Sequence, residues 1–169
     1  MNYKLYIVCL LTVFLCGCLD KTRSHYTPKI YISYPVTHSG DTLYARDVED
    51  ASYYRLDTCY IGDTINMVAS FDAVGNELQR TYLTWEKTNL SLCHTDYSAL
   101  KSVLVSPTDS AALDYYYQPL ISGSSLKLQI IPLKVGETPV VFNVESDSKY
   151  SPQSVNVHFM VADTVSSQK

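Results

Sequence analysis

Thr64-Ile65-Asn66-Met67-Val68-Ala69-Ser70-Phe71 is the stretch that decides the fold. Ile65, Met67, Ala69 and Phe71 share one face, while Asn66, Val68 and Ser70 share the other. Successive side chains of a strand point to opposite faces, so this alternation predicts a strand with one side in a core. Residues 72–77 follow with Gly75-Asn76, a turn signal, because both residue types tolerate positive φ. Residues 79–87 then alternate again, with Thr81, Leu83 and Trp85 against Arg80, Tyr82 and Thr84. Joined as a hairpin through Gly75-Asn76-Glu77, the two strands would set Ala69 opposite Leu83 and Met67 opposite Trp85. Both apolar faces then fall on one side.

The same period-two reading extends outward. Leu126, Leu128 and Ile130 alternate up to Pro132. Val140, Phe142 and Val144 follow Gly136, a polar loop spans 145–152, and Val155, Val157, Phe159 and Val161 form the apolar face of a last strand. Residues 29–34 predict a first strand ended by Pro35, and 100–105 a short strand stopped by Pro107. Residues 36–57 read as loop with at most one weak strand near 43–46. Pro107 to Leu113 has a helix-like start that fits one helical turn or a bent loop equally well.

Short strands, few helical stretches and turns every ten or so residues predict an all-β fold. The closing Val-rich pair after a glycine turn resembles the last strands of bacterial immunoglobulin-like domains. That resemblance implies a single immunoglobulin-like antiparallel β-sandwich of about seven strands. In such a sandwich the two strands flanking Gly75-Asn76 often lie in different sheets, joined by an arch.

The N-terminus carries a different signal. Lys4 precedes an apolar run, residues 5–15, of about eleven residues, too short to span a bilayer and suited to a secretory signal. The run ends in Leu15-Cys16-Gly17-Cys18, which resembles the lipobox of bacterial lipoproteins. The resemblance implies cleavage after Gly17 and a diacylglycerol on the Cys18 thiol. Residues 1–17 are then a signal peptide, 18–28 a lipidated tether, 29–163 the domain and 164–169 a disordered tail. Leu19 after the cysteine favours the outer membrane, on its periplasmic or cell-surface face.

Of five cysteines, Cys9 and Cys16 leave with the signal and Cys18 takes lipid. Cys59 and Cys93 remain in an oxidising compartment, and an even pair predicts a disulfide. The hairpin register also sets Cys59 opposite Cys93. The bridge would close a loop of about 35 residues, worth roughly 3–4 kcal/mol in the chain-entropy account.

Composition narrows the function. A net charge of -4 without a Lys/Arg cluster in the mature chain argues against a nucleic-acid partner. Fifteen tyrosines are unusual, and Tyr115, Tyr116 and Tyr117 form a candidate aromatic platform for a glycan or protein partner. The four histidines lack metal-ligand spacing, and no phosphate loop or nucleophile elbow occurs, so neither metal nor other cofactor is expected. Cys93-His94 would point to opposite faces of a strand, which argues against a Cys–His catalytic pair. Asp47, Glu49 and Asp50 read as a solvated acidic turn rather than a calcium loop. Thr42, Thr64, Ser110 and Thr164 each sit in an Asp-Ser/Thr-aliphatic triplet resembling the O-glycosylation pattern of Bacteroidetes secreted proteins.

The expectation is a Bacteroidetes-type lipid-anchored, non-catalytic envelope protein acting as an accessory or binding module. Its rivals are a fimbrillin-like adhesin subunit, which trades strands between copies, and a glycan hydrolase.

Overall fold

The computed structural model describes residues 25–50 and 52–163. The candidate lipidation residue Cys18 and the hydroxyl of Thr164 lie outside them. Twelve strands run in order: β1 (Lys29–Ile32), β2 (Val36–Thr37), β3 (Ala45–Asp50), β4 (Tyr53–Tyr60), β5 (Ile65–Asp72), β6 (Leu78–Trp85), β7 (Leu90–His94), β8 (Leu104–Asp109), β9 (Asp114–Tyr117), β10 (Gly123–Pro132), β11 (Gly136–Ser146) and β12 (Gln153–Ala162). One helical turn, α1 (Tyr97–Leu100), precedes a 3-10 turn at Lys101–Val103.

They form an immunoglobulin-like β-sandwich. The five-stranded sheet has the order β1-β5-β10-β7, with β2 also on β5, and the seven-stranded sheet the order β3-β4-β12-β11-β6-β9-β8. Inward faces supply the core. Ile65, Met67, Ala69 and Phe71 of β5 and Leu126, Leu128 and Ile130 of β10 face Val140, Phe142 and Val144 of β11 and Val155, Val157 and Phe159 of β12. Removing such surfaces from water is the main force holding the sheets together.

The segments around Gly75-Asn76 are therefore an arch, since β5 and β6 belong to different sheets. A turn does form there, with positive φ at Val74 (φ 50) and Gly75 (φ 78) instead of Gly75 and Asn76, and the Asp72 carboxylate accepts the Val74 N–H at 2.7 Å. The count exceeds the expected seven, and one pair is parallel, β4 on β12. Residues 47–50 lie on edge strand β3 instead of a turn.

The expected Cys59–Cys93 disulfide is absent, and both thiols are free. Cys59 sits on β4 of the seven-stranded sheet, and Cys93 on β7 of the other. His94 of β7 reaches across the sandwich to Tyr115 of β9, so β7 lies over the far side of the wide sheet from β4. Strands are about 4.8 Å apart, so the two cysteines are far beyond the ~7 Å Cα limit of a bridge. Cys59 is buried beside the Met160 carbonyl, and Cys93 is exposed beside Gln129. Burial pushes the Cys59 thiol up to about 11. A maleimide probe should thus modify Cys93 in the native mature domain at neutral pH, and Cys59 only after unfolding, with no dependence on added reductant.

The two ends of the sandwich differ. At one, the arch meets the 118–122 turn, through Ala73 N–H to Ser122 O (2.8 Å) and Leu78 N–H to Ile121 O (2.6 Å). The Glu77 N–H there donates to the Asp147 carboxylate (2.6 Å), and the Ser148 hydroxyl to Tyr26 O (2.6 Å). The chain enters the domain at this end. At the other end, Gly62 N–H donates to Pro132 O (2.9 Å) and Leu133 N–H to Asn89 O (2.8 Å).

Candidate functional site

The expected tyrosine platform divides between core and surface. Tyr115 and Tyr117 on β9 point inward, 0% and 6% exposed, and only Tyr116 turns outward. The Tyr115 hydroxyl lies 3.1 Å from His94 Nδ1, and that of Tyr117 lies 2.8 Å from Thr81 Oγ1. Burial raises both phenols above their ordinary range. Desolvation likewise holds the His94 imidazole below its ordinary value, against the opposing pull of Asp96. Tyr116 is engaged too. Arg80 stacks on its ring at 5.0 Å and on Tyr82 at 4.2 Å, while donating two 2.8 Å bonds to Asp114. These three tyrosines build the wall of the sandwich and offer no free aromatic surface together.

The opening lies on the opposite flank. The seven-stranded sheet is the wider one; β1 packs over β11 and β12, so β4 extends past it. A groove of about 520 Å³ results, with Lys29, Ile30 and Tyr31 along one wall and Tyr54, Gln153 and Val155 along the other. It continues into a cleft of about 170 Å³ between Ile32–Pro35 and the side chains of Tyr54, Leu56 and Val157. Tyr31 and Tyr34 stand exposed on its rim, and the Tyr34 ring meets that of exposed Tyr44 at 5.4 Å.

The backbone of β1 adds hydrogen-bonding capacity. Among the described strands it pairs with β5 alone, in the register Tyr31 to Ser70, and Ser33 N–H donates to Val68 O at 2.9 Å. Alternation along an antiparallel strand then turns the N–H and C=O groups of Ile30 and Ile32 toward the groove. Other edges are better guarded: β3 is charge-rich, β8 carries Pro107, and on β7 Leu90 N–H bonds Glu86 O while Leu90 O accepts the Trp85 indole N–H at 3.0 Å. Sequence reading missed this site because its tyrosines come from three separate segments, around 31–34, 44 and 54. The Ile-Tyr-Ile alternation of β1 was its only local trace.

The remaining candidates are dispersed. Cys93 and His94 point to opposite faces of β7, as expected, so no thiol–imidazole pair forms. Among the described residues no group of three His, Cys, Asp or Glu side chains could hold a metal ion. Thr42, bridged to Val36, Thr64 just before β5, and Ser110 in the turn after β8 lie toward one end of the sandwich, where the preceding aspartates have structural work. Asp41 accepts from the Ser39 hydroxyl, Asp63 from Tyr60 N–H, and Asp109 from Ala111 and Ala112 N–H.

No family model matches the chain, and no curated protein matches it. Among solved structures it is similar to a family 123 glycoside hydrolase from Clostridium perfringens, studied for glycolipid glycan hydrolysis, at 11% identity and a TM-score of 0.42. That match covers 81% of this chain and 28% of the hydrolase, so the chain spans well under a third of that protein. It is also similar to the ASH/PapD-like domain 7 of human CEP192, at 10% identity and a TM-score of 0.38, covering 85% of this chain and 92% of that domain.

Proposed function

We propose that this is a lipid-anchored, non-catalytic binding module of a bacterial outer membrane, holding an extended segment of a protein partner along β1. The supporting observation is the unpaired β1 edge opening on a tyrosine-rimmed groove. Strand addition draws affinity from main-chain hydrogen bonds and specificity from flanking side-chain pockets. Ile30 and Ile32 would supply the first, and Tyr31, Tyr34 and Tyr54 the second. The anchor is the Cys18 lipid implied by Leu15-Cys16-Gly17-Cys18.

Site-specific photo-crosslinking in intact envelopes tests the reading. Benzoylphenylalanine at position 31 or 34 should join one discrete protein, and the same group at exposed Thr84 on the outer face of β6 should not. Saturable retention on envelope polysaccharide, lost in Tyr31→Ala with Tyr34→Ala, would replace the protein partner by a glycan. Absence of both results at the groove would overturn the proposal. The same open edge favours one second reading, an adhesin subunit that exchanges strands with its own copies. Concentration-dependent polymers of purified protein, blocked by Ile30→Pro, would select it. Glycan on Thr42, Thr64, Ser110 or Thr164 would show as added mass on the native protein.

A further inference from the structure

The end of the sandwich where the chain enters carries an unusual surface. Leu120 is 81% exposed, Tyr26 67% and Tyr150 50%, and the Tyr150 ring lies 6.2 Å from that of His25. Scattered apolar residues are normal on a protein surface, but these gather around one arch. Tyr26 is held there by Ser148, and Leu120 precedes the Ile121 carbonyl that accepts Leu78 N–H.

Charge is distributed unevenly along the long axis. Lys29, Lys101 and Lys149 are exposed toward this end, where the Asp72 and Asp147 carboxylates accept backbone N–H groups. The far end also exposes apolar side chains, Leu133 and Val135, and there Asp41, Asp63, Glu86 and Asp163 outnumber Lys87 and Lys134. An anionic lipid surface attracts lysines and repels such an acidic end.

The geometry points to the Leu120–Tyr26–Tyr150 end as a docking surface for the lipid headgroup layer. This inference rests on the proposed lipidation of Cys18 and adds an orientation to it. Seven residues from Cys18 to His25 reach about 25 Å at most, so this end cannot leave the neighbourhood of the bilayer. Tyrosine suits the membrane interface because its ring is apolar and its hydroxyl is wet. Tethering makes the contact intramolecular, so even a weak one is populated. The domain then stands upright, with the Leu133–Val135 turn and Trp85 farthest from the lipid.

The chain has a single tryptophan, which provides the test. Full-length protein is inserted in vesicles of brominated phosphatidylcholine and phosphatidylglycerol, and its lipid is confirmed by intact mass. Emission from native Trp85 should be unquenched. In Trp85→Phe with Leu120→Trp, or with Tyr150→Trp should the first fold poorly, emission should be quenched and blue-shifted. Unquenched emission at 120 and 150 in lipid-bearing protein overturns the docking surface alone. Equal quenching at 85 and 120 overturns the upright orientation. A mass without lipid on Cys18 overturns the anchor itself, and this inference with it.

Discussion

Tyr115→Ala is expected to destabilise the domain by about 3–5 kcal/mol, the range for emptying a large aromatic site in a packed core. Tyr115 is fully buried between the sheets, and its ring packs against His94 (5.6 Å) and Tyr97 (6.1 Å). A domain of this size has roughly 5–15 kcal/mol of stability, so the variant should unfold at markedly lower denaturant and temperature. Tyr115→Phe keeps the ring and loses the hydroxyl beside His94 Nδ1, at about 1 kcal/mol. Tyr116→Ala, one residue along, removes only an outward ring and should cost far less than Tyr115→Ala. Urea titration of the three variants checks the ranking. Equal losses at 115 and 116 would refute the inward assignment.

The histidine beside that hydroxyl gives the core a pH dependence. Desolvation lowers the His94 pKa in the folded state, so the unfolded chain binds the proton more readily. Stability is then fully present above the ordinary imidazole value of 6.5 and falls as pH drops below it. A His94→Gln variant should flatten that part of the profile.

Cys18→Ser has the largest expected effect on behaviour in the cell. In the proposed lipoprotein, processing would need the thiol, and acyl chains on it would supply most of the membrane affinity. No helix among the described residues is long and apolar enough to cross a membrane. The variant should leave the membrane pellet, or keep its uncleaved signal, while the wild-type protein partitions into detergent. Membrane-bound, normally cleaved Cys18→Ser protein would refute the lipid anchor.

Much of the sandwich was legible because the cores of β5, β10, β11 and β12 carry apolar residues at every second position. Each of these strands, and β6, overlaps its predicted stretch, with ends that differ by a few residues. β4 was hidden. A register shift between His158 and Met160 of its partner bulges the strand, so buried Leu56 and Cys59 are three residues apart and the period is broken. β8 runs through Pro107 because it is an edge strand, where a missing N–H removes no ladder bond. The helix-like start at 107–113 became a strand and turn, and among the described residues a short helix formed at Tyr97–Leu100 instead.

The candidate site was harder to read for a physical reason. A groove formed by two sheets of unequal width is a property of strand order, which local periodicity does not encode. The triplet Tyr115-Tyr116-Tyr117 drew attention by composition, yet alternation alone sends its first and third rings to one face and its middle ring to the other. The cysteine pair failed similarly. Its support came from the even count of remaining cysteines and from a hairpin register, and the arch at Gly75 placed the flanking strands in opposite sheets.

Strand β12 sits between β4 and β11, and β4 has no other sheet neighbour apart from β3. In the proposed exported protein the amino-terminal strands would emerge first, yet β3 and β4 join the rest of their sheet only when residues 153–162 arrive. That order would leave the β3–β4 hairpin, partly apolar, without its β12 neighbour until the end of the passage. A chain cut short before Gln153 would keep β11-β6-β9-β8 and lose the strand that joins β4 and β3 to them.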